Sequence, residues 1–450
     1  MKQFFSAIFV VLGLLSGVAW WIQPRPVQEG KMLLVWCSDD NPARRQQIEL
    51  FHRLYPQYHL RLDPLNNGME KVIVQSVAGV GPDIFECWPY QVSAFVDAGI
   101  AWDITDRLKE TGIDIQSEVW QANHPIITHR GRVYGFPRNA STDAVFYNKA
   151  LFDENGIPYP KSPLSCEEFL DLARKLTMRD ANGRIRHYGF VFWWQWENFI
   201  NQWGGRVYSD DGTRCTVDSP EAIAAVQFMR DLAWEHRVTP TPAQEAGMAS
   251  VGGWGSGAIT WLGAGRAAMA GGGRWWLCLL RSKTDYPGLR LGVVEVQFGP
   301  VRRYAGAGGA VMINANSPRR EQAFDFIRFM AGREYNDLIN RQADGIAAVK
   351  RYCYTDEFLH DPAYPDEDAN EVWRDVMERS VPLQASEFVS GTMTSRIMDV
   401  QLDLVRNNRK PPAEAMRTAA RQVNEEIGKT LRASPALRTR YESLTGMKAE

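Results

Sequence analysis

Sixteen tryptophans lie in a chain of 450 residues, and their flat apolar faces are the groups here best suited to recognition chemistry. An indole either packs in a core or stacks on a flat ligand. Several stand near polar residues: Trp88 close to Tyr90, Trp193, Trp194 and Trp196 before Glu197, and Trp275 with Trp276 after Arg274. On a strand, two of the three indoles at 193–196 would share a face and one would not, so one platform and two packing residues are expected. Asp39 and Asp40 precede Asn41-Pro42, where they serve either as ligand contacts or as caps of the helix that Pro42 opens. Catalytic signatures are missing: there is no serine elbow, HExxH, P-loop or GxGxxG. Paired carboxylates for glycoside hydrolysis stay open, because their spacing is spatial and not sequential.

The composition is that of an ordinary globular protein, 45% hydrophobic and 23% charged with a net charge of -2. Such a chain has no field to gather nucleic acid, and its length implies two lobes. Lys2 and the uncharged run Phe4 to Ile22 resemble an export signal. Gly17 and Ala19 suit cleavage after Ala19, but the apolar run continues to Ile22, so residues 1–30 are expected to be a signal peptide or an uncleaved anchor. The six cysteines include no CxxC, which leaves zinc ribbon and thioredoxin-like chemistry without support. No cofactor or metal is expected.

The elements that must position these residues follow from periodicity. Lys31–Trp36 reads as a buried strand, Asn41-Pro42 starts a helix, Tyr58–Asp63 alternates as a strand, and Met69–Ala78 is helical. Pro82–Cys87 is a third strand and Val92–Ala98 a further helix. This alternation implies a parallel, doubly wound α/β sheet, with ligands beyond the carboxyl ends of the strands, at Cys37–Asp40 and Cys87–Tyr90. Helices are expected at Ser165–Leu176, Pro220–Ala233, Arg319–Met330, Ser395–Arg406 and Ala413–Thr430, and strands at Leu291–Val296 and Ala310–Asn314. Residues 247–273 hold ten glycines and read as a loop, either a mobile binding loop or a flexible surface one.

An ordered set of segments resembles the extracellular solute-binding proteins of the maltodextrin-binding type. They are LLVWCSDD at 33–40, GPDIFECW at 81–88, FVDAGIAWDITD at 95–106, GRVYGFPRNASTDAVFYNKALFDENGI at 131–157, NFINQWGGRVYSDDG at 198–212, GRAAMAGGGRWW at 265–276 and GAGGAVMINANSPRREQAFDFIRFM at 306–330. The resemblance implies two α/β lobes around a hinge. The first would hold residues 31–140 and 305–350, the second 145–300 and 355–450, with Pro137–Asn148 as first crossover. It also implies an exported monomer, periplasmic or anchored to the inner membrane, that closes on a carbohydrate and docks on the transmembrane permease subunits of an ABC importer, catalysing nothing. A tethered sugar sensor is the alternative, and an exported carbohydrate-active enzyme a more remote one.

A sugar presents hydroxyls at its rim and C–H groups on its ring faces, so its site needs carboxylates, amides and Arg around aromatic planes. Matched to the family, Asp40 falls on the contact loop of the first strand with Asp39 as its neighbour, and Trp88 and Tyr90 fall on that of the third. Ser141 stands where the maltodextrin binder is acidic, with Arg138 and Asp143 as substitutes. Trp194 and Trp275 take stacking positions, accompanied by Glu197 and Trp276. The late-helix stretch Gly391–Met398 lacks the aromatic residues of the maltodextrin binder. Arg138, Arg274 and Arg303 leave room for an acidic sugar. The family's strand order places Cys37 beside Cys87, a possible disulfide.

Overall fold

The apolar run at 32–37 and the alternating run at 58–63 pair as parallel strands, Met32–Cys37 with Tyr58–Asp63, with Leu34 opposite Leu60. Ile84–Cys87 lies parallel on the other side of the first strand. Helices Ala43–Leu54 and Met69–Val77 supply the crossovers that parallel neighbours require. Two later strands complete this five-stranded sheet: Ala310–Ile313, antiparallel to Ile84–Cys87, and Gly135–Pro137 at the edge. Helix Arg320–Ala331 covers it, and Trp36, Phe51, Phe85, Phe136, Phe326 and Phe329 share one core. The computed structural model describes residues 30–192, 195–246, 257–365, 367 and 369–448. No helix among them is long and apolar enough to cross a membrane, and the run Phe4–Ile22 lies outside the described residues.

The second lobe is built on Ser141–Asn148. Ala267–Gly273, Leu291–Val294 and Tyr304–Ala307 all run antiparallel to it. Ile185–Phe192 is parallel to Ala267–Gly273, and Ser380–Pro382 to Tyr304–Ala307. The two-lobed α/β architecture matches the sequence reading, but this sheet is mixed. The chain enters the lobe through Ser141–Asn148 and leaves it through Tyr304–Ala307 across one boundary, so the two strands must run in opposite directions. One face packs Phe169, Phe190, Phe199 and Met229 against the carboxyl-terminal helices Gly391–Arg406 and Pro412–Ala433. The other buries Phe146, Trp261, Trp276 and Trp373.

Of the chain's three changes of sheet, one lies between Ile313 and Ser380, and the other two are adjacent, between Pro137 and Ser141 and between Ala307 and Ala310. They bind each other: Arg138 N–H donates to the Gly309 carbonyl at 2.8 Å, and Gly309 N–H to Asn139 Oδ1 at 3.0 Å. A Cβ on Gly308 would fall 2.2 Å from the Asn139 carbonyl oxygen, so this approach admits only glycine.

Three expectations are corrected. The glycines at 271–273 belong to the strand Ala267–Gly273 and not to a loop, while residues 247–256 lie outside the described residues. Of the two roles open to Asp39 and Asp40, capping is the one that falls away: Asn41, which opens the helix with Pro42 as read from the sequence, accepts from Ala43 N–H through its Oδ1 at 2.9 Å. The Cys37–Cys87 disulfide is not formed, and all six cysteines are free thiols. Cys37 stands opposite Phe85 in register, so Cys87 lies two residues further along its strand. At ~3.3 Å per residue and ~4.8 Å between strands, their Cα atoms are ~8 Å apart, beyond disulfide reach. Burial pushes the Cys37 thiol up to about 12 and Cys87 well above its ordinary value, which leaves both unreactive.

Candidate functional site

A cavity of about 360 Å³ opens where the two sheets face each other. The first lobe lines it from the carboxyl ends of its strands, with Asp39, Asn41, Trp88 and Tyr90, as expected for an open α/β sheet. The second lobe contributes Ser141, Thr142, Asp143, Gln195, Glu197, Asn198 and Trp275. Arg138 and Asn139, at the crossover, form its floor together with Gly308 and Gly309.

Trp275 owes its position to a missing side chain. A Cβ on Gly273 would lie 2.6 Å from the Trp275 indole and 3.0 Å from Ser141 Oγ, so the glycine lets the indole fold back beside Ser141 in the cleft. Gly272 does the same for Trp276 on the opposite face, where a Cβ would lie 2.3 Å from that ring. Trp276 is fully buried and stacks on Phe146 with centroids 5.7 Å apart. It is therefore core and not cleft, which corrects its assignment as a ligand contact. Trp275 meets it edge-on and stays half-buried. Opposite, Tyr90 packs against the amino end of helix Gly391–Arg406, where a Cβ on Gly391 would lie 2.5 Å from Tyr90 Cβ.

The charged groups fall into two sets. In the first, Asp344 Oδ2 accepts from Arg44 at 2.6 Å and from Arg138 at 2.7 Å. Glu86 pairs with Arg138 at 2.8 Å, and Asp39 with Arg44 at 3.1 Å. Against the upward push of burial, Arg44 and Arg138 pull the Asp344 carboxyl down to about 2. In the second set, Asp143 and Glu197 have no cationic partner among the described residues. Burial pushes both up to about 7, Asp143 further raised by Glu197 and Glu197 by Asp399. The Gln195 amide lies against Asp143 and, with its nitrogen turned to the carboxyl, donates to it. Among the described residues no group of His, Cys, Asp and Glu is placed to hold a metal.

The Asp143 shift has a measurable consequence. Its folded value lies above the ordinary 3.8, so between pH 4 and 7 the folded chain keeps a proton that the unfolded chain has released. This group's effect on stability therefore worsens as pH rises through that window. Asp143→Asn should raise the stability of the unliganded protein at pH 8 by up to ~4 kcal/mol, at 1.36 kcal/mol per unit, and do little at pH 4. Calorimetry of both proteins across that range checks it; a variant equally or less stable at pH 8 would refute the uncompensated charge.

Of the residues expected at the site, the cavity brings together Asp39, Trp88, Tyr90, Arg138, Ser141, Asp143, Glu197 and Trp275. Asp40 is exposed and outside it, Trp276 is in the core, and Trp194 lies outside the described residues. Trp196, its neighbour, is buried. Arg274 does not reach the cavity; its guanidinium is buried against Asn370 Oδ1 and the Gly345 and Asn340 carbonyls at 2.8–3.0 Å. Arg303 does not line it either. Sequence reasoning missed Arg44, Glu86 and Asp344. Arg44 shares a helix face with Gln47 and Phe51, and Glu86 interrupts the apolar strand IFEC; both were readable as buried charges. Nothing local marks Asp344.

Comparison with known proteins places this geometry. Residues 39–337 match the family model of the bacterial extracellular solute-binding proteins. The sn-glycerol-3-phosphate-binding periplasmic protein UgpB of Agrobacterium fabrum is 26% identical over 145 residues, 30% of this chain and 33% of that protein. The maltotriose-binding protein of Pyrococcus abyssi is 26% identical over 169 residues, 36% of this chain and 34% of that protein. The chain thus spans about a third of the length of these curated relatives. Among solved structures, the ABC substrate-binding protein Lmo0181 from Listeria monocytogenes in complex with cycloalternan superposes with a TM-score of 0.74 at 22% identity, covering 88% of this chain and 99% of that one. A Thermotoga lettingae solute-binding protein bound with alpha-D-tagatose gives 0.71 at 21%, covering 88% and 100%. With its two lobes, its double crossover and a family match across about two thirds of its length, the chain belongs to the bacterial extracellular solute-binding proteins.

Proposed function

We propose that this chain is the extracytoplasmic binding component of an ABC-type importer, taking a saccharide between its lobes and passing it to membrane permease subunits. The reading rests on the Trp275 indole, half-buried in a cavity of about 360 Å³ across from Trp88 and Tyr90 and ringed by carboxylates and amides. That volume is within the range of small-molecule sites. A pyranose face packs on the indole, and its hydroxyls bond Asp39, Ser141, Asp143, Glu197 and Asn139. The run Phe4–Ile22 would export the chain or hold it at the membrane.

A polyol phosphate or an acidic sugar fits less well. Such ligands need a cation to spare, and both arginines at the cavity are already paired with carboxylates at 2.6–3.1 Å. A thermal-shift screen of glucose, maltotriose, glucuronate and glycerol 3-phosphate against the exported chain tests this. A saccharide at a hundred times its dissociation constant adds ~2.7 kcal/mol of stability; glucuronate and glycerol phosphate add none. A shift with glycerol phosphate alone would move the chain to the phosphate binders. Oligosaccharide recovered intact after long incubation fits a binder, whereas cleaved product would make it an enzyme that uses the two carboxyls near neutrality.

A further inference from the structure

We infer that the saccharide taken by this cleft carries a protonated amine, which sits between the Asp143 and Glu197 carboxylates. The inference rests on the saccharide reading above and narrows it to amino sugars.

The charges at the cavity do not balance. Arg44 and Arg138 meet three carboxylates, Asp39, Glu86 and Asp344, in one network of ion pairs. That set pairs both guanidiniums and already carries one excess negative charge. Asp143 and Glu197 add two more acids on the second lobe's side of the same cavity. Asp143 is faced by Glu197 and the Gln195 amide. Glu197 is faced by Asp399, from helix Gly391–Arg406, and lies near Tyr208. No cation reaches either carboxyl among the described residues. An unpaired carboxylate taken from water is expensive, and an arrangement of two needs a reason.

A ligand ammonium supplies one. It would form charge-assisted hydrogen bonds to both carboxylates and relieve their mutual repulsion. The geometry suits a sugar stacked on Trp275: Gly273, against which the indole folds, is the register partner of Asp143 in the adjacent strand. A pyranose on the indole therefore has Asp143 at its rim. An ammonium there also lies close to the indole face, which attracts cations. A neutral hydroxyl in the same place would leave the two acids repelling, or each holding a proton at neutral pH.

The test is titration calorimetry of the exported chain at pH 6.5 with glucosamine, galactosamine and the β-1,4 glucosamine trimer, against glucose, galactose and cellotriose. At least one amine should bind about tenfold or more tighter than its neutral counterpart, the size of one hydrogen bond to a charged group. Its binding should also release protons to the buffer, because the ammonium drives both carboxyls to ionise; repeating the titration in buffers of different ionisation enthalpy counts them. Asp143→Asn and Glu197→Gln should each lose that preference and lower the proton release. Neutral sugars binding as tightly as the amines, or amine binding without proton release, overturns the inference and leaves the saccharide reading standing. If no amine binds, the inference falls; the saccharide reading falls with it only if the wider screen is also empty.

Discussion

Replacing Trp275 by alanine lowers saccharide affinity by about two orders of magnitude while the protein still folds. A sugar face covering half of an indole removes roughly 100 Å² of apolar surface from water, worth ~2.5 kcal/mol at ~25 cal/mol per Å². At 1.4 kcal/mol per factor of ten this is about a hundredfold. Folding survives because the Trp275 ring is half-buried at the cleft, at the margin of the core, where it meets Trp276 edge-on. Trp276→Ala is the contrasting control. That ring is fully buried on Phe146, so its removal costs about 3–5 kcal/mol of stability. Calorimetric titration and melting curves of the two variants separate the roles of adjacent indoles. Unchanged affinity in Trp275→Ala removes that residue from the site.

That two neighbouring tryptophans divide between cleft and core shows where sequence reasoning stops. Residue type and family spacing put both indoles near a ligand. Their division depends on Gly272 and Gly273, consecutive positions of a strand that face opposite sides, each making room for a ring on its own face. Read as composition, the same glycines suggested a loop, because glycine weakens strands unless something packs where the side chain would be. The first-lobe strands and helices were legible because each carries its own signal, a short apolar run at 32–37 and 84–87 and an amphipathic pattern elsewhere: Tyr58–Asp63 has the expected bounds, and Met69–Val77 stops one residue short. Of the second sheet only Leu291–Val294 was legible; its central strand was not, since Ser141–Asn148 is largely buried on both faces and shows no alternation. Cys37 and Cys87 lie on neighbouring strands as expected, yet the register that keeps them apart is set by pairing across the sheet, which no single segment encodes.

Asp344 shows the same limit in the site's electrostatics, and its removal should destabilise the fold as strongly as loss of the Trp276 ring. It joins Arg44 of the first helix, Arg138 of the crossover and Gln47 in one buried cluster, with contacts of 2.6, 2.7 and 3.1 Å. In Asp344→Ala, Arg44 keeps Asp39 and Arg138 keeps Glu86, but two buried guanidiniums then face each other without the carboxylate between them. Breaking a buried pair in this way costs about 3–5 kcal/mol. Asp344→Asn, which keeps an acceptor, should lose less. The pH profile gives an independent signature. Asp344 is held down at about 2, so its contribution is fully present above its ordinary 3.8 and lost as pH falls from 4 towards 2. Asp143 and Glu197 act with the opposite sign, stabilising the unliganded fold as they gain protons between pH 7 and 4. The joint contribution of these three carboxyls has its maximum near pH 4–5. Asp344→Ala should blunt the acid limb below that maximum and leave the limb above it intact. Urea melts across pH 2–8 read both limbs, and an acid limb of unchanged steepness in the variant would show that Asp344 does not hold the cluster together. Because the same cluster fixes Asp39 at the cleft and Arg138 beneath it, the variant should also bind saccharide more weakly, even where it remains folded.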